Sequence, residues 1–130
     1  MATYMIYQRT NVDIDRINNM STSVYAKAYF ALGMPDKYTV ENAVSDGLHH
    51  DMYQPTMIMY DETDSVRTPF EAIFDEGNGY GDGSITSVDI RKHPSMSVGD
   101  LILDMVTNEA HVCMPTGWQS LDLILELNVA

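Results

Sequence analysis

The sequence predicts an α+β fold, in which two or three helices pack on one side of an antiparallel sheet and a β-hairpin lies near the C-terminus. Three observations support this prediction. Short strand-like apolar segments occur in both halves of the chain. Residues that typically begin and end helices occur in the middle of the chain. Between Ser95 and Trp118, two apolar segments flank the polar turn Thr107–Glu109, which is a hairpin pattern.

The N-terminal half is predicted to hold one strand and two helices. Residues 3–9 alternate as a strand does, and a polar, Asn-rich loop follows. Ser21 to Ser23 offer caps for a helix that continues to Leu32 and ends at Gly33. Thr39 can cap a second helix over 40–50. The two helices give this half its apolar faces.

The middle of the chain is predicted to be strand, helix, glycine-rich loop and strand. Pro55 cannot donate a ladder hydrogen bond, so it places its end of the strand 52–60 at a sheet edge or at the strand's beginning. Thr68–Glu71 is a capping box with proline at the first helical position. These patterns predict a helix over 68–78, an exposed loop over 77–83 and a strand over 84–90.

The segment SMSVGD introduces the hairpin. We interpret Ser95 and Ser97 as turn residues that bond nearby backbone amides, and Gly99–Asp100 as the turn into an apolar strand that continues to Val106. Gly117 ends the second strand. We therefore predict that these residues have a structural role in the turn and no catalytic role.

The C-terminal tail, 120–129, repeats leucine at every second position, which favours a strand over a terminal helix. An edge strand such as 52–60 or the tail can pair with a second copy, so sheet extension is the predicted route to a homodimer. No repeat, linker or low-complexity tract divides the 130 residues, and we expect a single domain spanning 1–130.

The charge argues against two classes of partner. Seven Lys and Arg against 19 Asp and Glu give a net charge of −12, which repels nucleic-acid phosphates and anionic membranes. Cys113 is the single cysteine, which excludes an intrachain disulfide and fits a reducing compartment. The first ten residues lack a secretion signal's pattern, and no apolar segment is long enough to span a bilayer. We therefore expect a cytoplasmic protein.

Motifs for catalysis, cofactors and metals are weak, and none of these sites is assigned. His111 and Cys113 lie two apart, which permits a ligand pair, but no further Cys or His accompanies them. The loop from Asn78 to Asp89 matches a calcium-binding loop at only some places. No nucleophile elbow or phosphate-binding loop is present. Trp118 is the candidate interaction anchor, with core packing as the alternative.

The succession SMSVGD, LIL, EAHVC and GW resembles the C-terminal pattern of a group of small phage and mobile-element proteins, and also the ending of the YodL-like domain. The helix TPFEAIFDEGN is similar to a segment that this group carries upstream, so the resemblance covers about Thr68 to Leu121. The sequence departs from it in the glycine-rich insertion 77–83 and in the turn TNE. The group has no established activity, and the resemblance implies only a viral or mobile-element protein inside a bacterial cell.

Two functional classes follow. The first is a non-enzymatic accessory protein that binds a host or phage protein, and the acidic charge together with the absence of a catalytic motif favours it. The alternative is an enzyme or small-ligand binder that uses a pocket lined by Tyr, His111 and the acidic loop Asp61–Asp64.

Overall fold

The computed structural model describes residues 2–10, 44–45, 48, 51–61, 69–114 and 117–121. Within these ranges the chain forms six strands and one helix with described bounds, and three further residues, Val44, Ser45 and Leu48, have helical backbone. In chain order they are β1 (Ala2–Gln8), β2 (Gln54–Asp61), α1 (Pro69–Gly77), β3 (Ile85–Asp89), β4 (Leu101–Asp104), β5 (Ala110–Cys113) and β6 (Trp118–Leu121).

All six strands belong to one sheet, with the spatial order β3-β2-β1-β4-β5-β6. Every neighbouring pair is antiparallel. The ladder of β1 with β2 has a register shift between Ile6 and Tyr7, where Tyr7 lies opposite Pro55. The antiparallel sheet of the predicted fold class is therefore confirmed.

Both faces of the sheet are apolar and buried. On one face Ile6, Met59 and Ile102 pack with Ile73 of α1. The opposite face contributes Tyr7, Leu101, Leu103 and Val112 to a second cluster. Because the three residues Leu101–Leu103 are all buried, β4 is covered on both sides.

Val44 lies in this second cluster, and Leu48 packs against it. Val44, Ser45 and Leu48 have helical backbone, so part of the predicted 40–50 helix is observed. It packs on the face opposite α1, and not beside it as the sequence suggested. The physical reason is that two apolar faces each require a cover. The predicted helix from Ser21 to Leu32 and most of the tail, 122–129, lie outside the described residues.

Of the two places predicted for Pro55, the strand's beginning is confirmed, because Pro55 is the second residue of β2. The prediction that the strand 52–60 is an edge that can pair with a second copy is wrong, because β2 pairs with β1 on one side and with β3 on the other. The predicted end of the strand after Gly99 is also wrong. The strand after Gly99 ends at Asp104, two residues before Val106, because the Asp104 carboxylate accepts hydrogen bonds from the Val106 and Thr107 amides and closes a turn.

The helix α1 begins at Pro69, as the capping pattern predicts, although Thr68 lies outside the described residues. Its other end is a Schellman motif. The Tyr80 amide donates to the Asp75 carbonyl and the Gly79 amide to the Glu76 carbonyl, with Gly79 at φ 83°. The glycine-rich loop therefore starts with a defined helix cap.

Candidate functional site

The segment SMSVGD forms a tight turn into β4. The Asp100 amide donates to the Ser97 carbonyl at 3.1 Å, and Gly99, at φ 95°, occupies the third place of the turn. Glycine is required there because a type II turn needs a positive φ at that place. The predicted turn at Gly99–Asp100 is confirmed.

Asp100 anchors a buried polar network below this turn. Its Oδ2 accepts hydrogen bonds from Gln8 Nε2 and from the Ser97 amide, each at 2.9 Å. Gln8 Oε1 in turn accepts from the Thr56 hydroxyl at 2.7 Å. The side chains of Asp100, Gln8 and Thr56 are all buried. The network therefore joins β1, β2 and the turn before β4.

Gln8 also bonds the chain that leads into the turn. Its Nε2 lies within hydrogen-bond distance of the Pro94 and Ser95 carbonyls, at 3.2 and 3.3 Å. The backbone of Ser97 takes part in this network, since its amide donates to the Asp100 carboxylate. The interpretation that the hydroxyls of Ser95 and Ser97 bond nearby backbone amides stays a prediction.

Burial raises the pKa of Asp100 to about 6, although the hydrogen bonds from Gln8 and Ser97 and the nearby Arg9 charge lower it. A raised pKa is found at many catalytic carboxylates. Asp100 is nevertheless only 4% exposed, and its Oδ2 is engaged by two donors. A substrate has no access to it in this conformation.

His93 is the nearest histidine to this turn along the chain. Its Nδ1 lies 2.8 Å from the Pro94 carbonyl and its Nε2 lies 2.9 Å from Asp89 Oδ1. Partial burial lowers the pKa of His93, but the Pro94 carbonyl and the Asp89 carboxylate together outweigh it and raise the pKa above its ordinary value. With both nitrogens engaged, His93 cannot take a proton from Ser95 or Ser97.

Trp118 is the first residue of β6 and is half-buried. Its ring packs against Phe70 and Phe74 of α1, with centroids 5.7 and 6.5 Å apart. The Phe70 ring also lies 4.5 Å from the ring of His111. Trp118 therefore packs α1 against β6, at the edge of the sheet. This contact agrees with core packing, the alternative to an interaction anchor.

Two buried nitrogen atoms in this aromatic cluster, Trp118 Nε1 and His111 Nδ1, have no hydrogen-bond partner in the described part of the chain. Burial lowers the pKa of His111, although Glu109 and Asp104 raise it. His111 is therefore a neutral aromatic neighbour of Phe70 near pH 7. His111 lies opposite Ile102, on the face of the sheet that α1 covers. The sequence pattern placed His111 on a strand but did not predict its aromatic neighbours.

The metal candidates do not come together. Cys113 is buried, and burial raises the pKa of its thiol to about 11. In the calcium-like loop, Asn78 donates its amide to the Phe74 carbonyl, and Asp89 lies at the far end of β3 from Asp82. Within the described residues, no three His, Cys, Asp or Glu side chains are placed to hold a metal ion.

We call the end of the sheet where β1 begins and β2 and β4 end the hairpin end. Of the five large apolar side chains that are exposed among the described residues, Val88 and Ile90 lie at β3, and the other three lie in the β4–β5 turn and in the loop that enters β3 at this end. Met105 and Val106, in the turn between β4 and β5, are 44% and 71% exposed, and Tyr80, in the loop that enters β3, is 80% exposed. Sequence reasoning missed Met105 and Val106 because it assigned them to the strand.

Charge is distributed unevenly between the two ends of the sheet. Four described carboxylates, Asp61, Asp82, Asp104 and Glu109, lie at the hairpin end. The three described Lys and Arg residues, which are Arg9, Arg91 and Lys92, all lie at the opposite end, together with Asp51, Asp89 and Asp100. Among the described residues, the hairpin end therefore combines apolar exposure with an excess of negative charge.

No family model, curated protein or solved structure matches the chain. The resemblance to small phage and mobile-element proteins therefore stays a prediction. Of the residues predicted by number to line the acidic pocket, Asp61 lies at the end of β2 and His111 lies on β5, and residues 62–64 lie outside the described ranges. Over the ranges that the structure covers, no helix is both long enough and apolar enough for a membrane crossing.

Proposed function

We propose that this chain is a non-enzymatic accessory protein that binds another protein, with the hairpin end of the sheet as its contact surface. The exposure of Met105 and Val106 in the β4–β5 turn carries this proposal. The exposed surface of these side chains gains no burial in the monomer, whereas its burial against a partner contributes about 25 cal/mol per Å².

The carboxylates around these side chains set the chemistry of the partner. Asp104 and Glu109 flank the turn, and Asp82 lies in the neighbouring loop. β3 and β4 are three strand intervals apart, about 14 Å, so the Tyr80 loop and the turn fit under one interface. We infer a partner surface with an apolar centre and Lys or Arg at its rim.

The biological setting is inferred only from the resemblance that the segment running from SMSVGD to GW carries. We propose that the protein belongs to a phage or mobile element and acts in the cytoplasm of the bacterial host, on a host or phage protein. For the fold, we propose that the helix over 21–32 supplies a further cover for the sheet, which would make two or three helices in all.

The experiment is site-specific photo-crosslinking in bacterial cells. A photoreactive amino acid replaces Val106 in one variant and Ser95 in the control, because Ser95 is also exposed but lies before β4, at the opposite end of the sheet. The proposal expects a discrete cross-linked protein at position 106 that is absent at position 95. Excess unlabelled wild-type protein should abolish that product by competition, whereas excess unlabelled Val106→Glu should leave it unchanged. Equal labelling at both positions would overturn it.

A further inference from the structure

β3 is the outermost strand of the described sheet, since its pairing is with β2 and the strand order begins with it. No other described strand covers its outer side. Val88 and Ile90 are 51% and 42% exposed along this edge. An uncovered edge with exposed apolar side chains is a template for pairing with another strand.

The ladder with β2 determines which backbone groups face outward. The Ile90 amide donates to the Thr56 carbonyl at 2.8 Å, so Ile90 points toward β2. In an antiparallel ladder the direction alternates along the strand, and the amide and carbonyl of one residue point to the same side. Thr86 and Val88 therefore face β2, whereas Ile85, Ser87 and Asp89 present their backbone groups to the outside.

We propose that two copies of this chain pair through β3, antiparallel, about a two-fold axis at Ser87. In this register Ser87 lies opposite Ser87 of the second copy, and Ile85 opposite its Asp89. All outward backbone groups of the strand are then used, which gives two hydrogen bonds for each of three residue pairs. A shift by one residue is excluded, because it would place an inward-facing residue opposite an outward-facing one.

The side chains support the same register. Thr86 of one copy lies opposite Val88 of the other, on the face where Val88 and Ile90 are exposed. Because a two-fold interface is self-complementary, each contact occurs twice. The apolar surface that the monomer leaves in water is thereby covered by its own equivalent, and a β-branched pair across two strands is favourable.

Charge supports antiparallel pairing over parallel pairing. Asp82 precedes β3, and Arg91 and Lys92 follow it. Antiparallel pairing brings the Asp82 end of one copy to the Lys92 end of the other, whereas parallel pairing would place like charges side by side. The contact is short, and the dimer therefore belongs to the small, weak class of interfaces. It lies away from the hairpin turn, so this proposal and the proposed function fail separately.

Cysteine cross-linking tests the register. Opposite residues of a hydrogen-bonded pair lie about 5.5 Å apart at Cα, which is within the range of a disulfide. Ser87→Cys should form a disulfide-linked dimer under mild oxidation at high protein concentration. Thr86→Cys and Val88→Cys should each stay monomeric alone, and a mixture of the two should cross-link. The wild type, whose Cys113 is buried, is the control.

Sedimentation of reduced protein gives a second, independent readout. Val88→Lys should lose the concentration-dependent dimer, while Met105→Lys, which changes a side chain of similar exposure at the hairpin turn, should retain it. Asp82→Lys and Lys92→Asp should each weaken the dimer, and their combination should restore it. A wild type that stays monomeric up to about 1 mM would overturn the proposal, as would cross-linking of Val88→Cys alone at the rate of the mixture.

Discussion

The buried carboxylate of Asp100 gives the sharpest quantitative prediction, and the perturbation is Asp100→Asn. Burial raises its pKa from 3.8 to about 6 in the folded chain. Each unit of pKa corresponds to about 1.36 kcal/mol, so ionised Asp100 costs the folded state about 3 kcal/mol relative to the unfolded state.

The sign follows from proton binding. Between pH 3.8 and about 6 the folded chain holds a proton on Asp100 that the unfolded chain has released. Stability from this group is therefore greatest below pH 3.8, and it is lost as the pH rises through 6. The side-chain amide introduced by Asp100→Asn cannot ionise, so the variant lacks this dependence.

The assay is urea unfolding between pH 4 and pH 7, followed by the fluorescence of Trp118, the single tryptophan. The difference in unfolding free energy, wild type minus Asp100→Asn, should fall by about 2 kcal/mol across this range, since part of the full effect lies below pH 4. The variant's own pH dependence accounts for the general repulsion among the other carboxylates. Glu109→Gln, which alters an exposed carboxylate, is the control. A difference that stays constant within about 0.5 kcal/mol would refute the assignment of the raised pKa to burial.

Three further predictions concern single side chains. Gly99→Ala should destabilise more than Gly83→Ala, since both glycines have φ near 90° but only a Cβ at position 99 would meet the Arg9 guanidinium, at 2.6 Å. Equal losses in chemical denaturation would show that Arg9 moves aside without cost. Trp118→Ala should cost about 2 kcal/mol or more through lost packing, and Trp118→Phe less than about 1 kcal/mol because the indole nitrogen has no partner among the described residues. Calorimetry separates the two, and similar losses would contradict the packing role. Burial lowers the pKa of His111, so its contribution to stability should decline as the pH falls below 6.5, and His111→Phe should remove that decline in thermal unfolding. An unchanged pH profile would contradict the burial of the ring.

The elements that the sequence predicted well are those whose signals are local. Pro69 fixes the start of α1, and the alternation of β1 marks its strand. Gly99 identifies the turn because only glycine adopts its φ without strain. Each of these signals lies within a few residues of the structure it specifies.

The features that sequence reasoning missed depend on partners far away in the chain. Whether β2 is an edge is decided by its pairing with β3, about thirty residues later. The exposure of Val106 results from the Asp104 carboxylate closing the turn early. The placement of Val44 opposite α1 required knowledge of both sheet faces.

Asp100 shows why a recognisable motif need not mark a reaction. Its carboxylate joins the Gln8 amide of β1 and the Ser97 backbone amide, two donors that are 92 and three residues away. An asparagine would keep both bonds only with its oxygen turned toward them, and an apolar residue would leave both donors unpaired in the interior. The Gly99 turn places the carboxylate at this position, and Thr56 holds Gln8 in the matching orientation. The contacts of Gly99 and Asp100 therefore give these two residues of SMSVGD a role in folding.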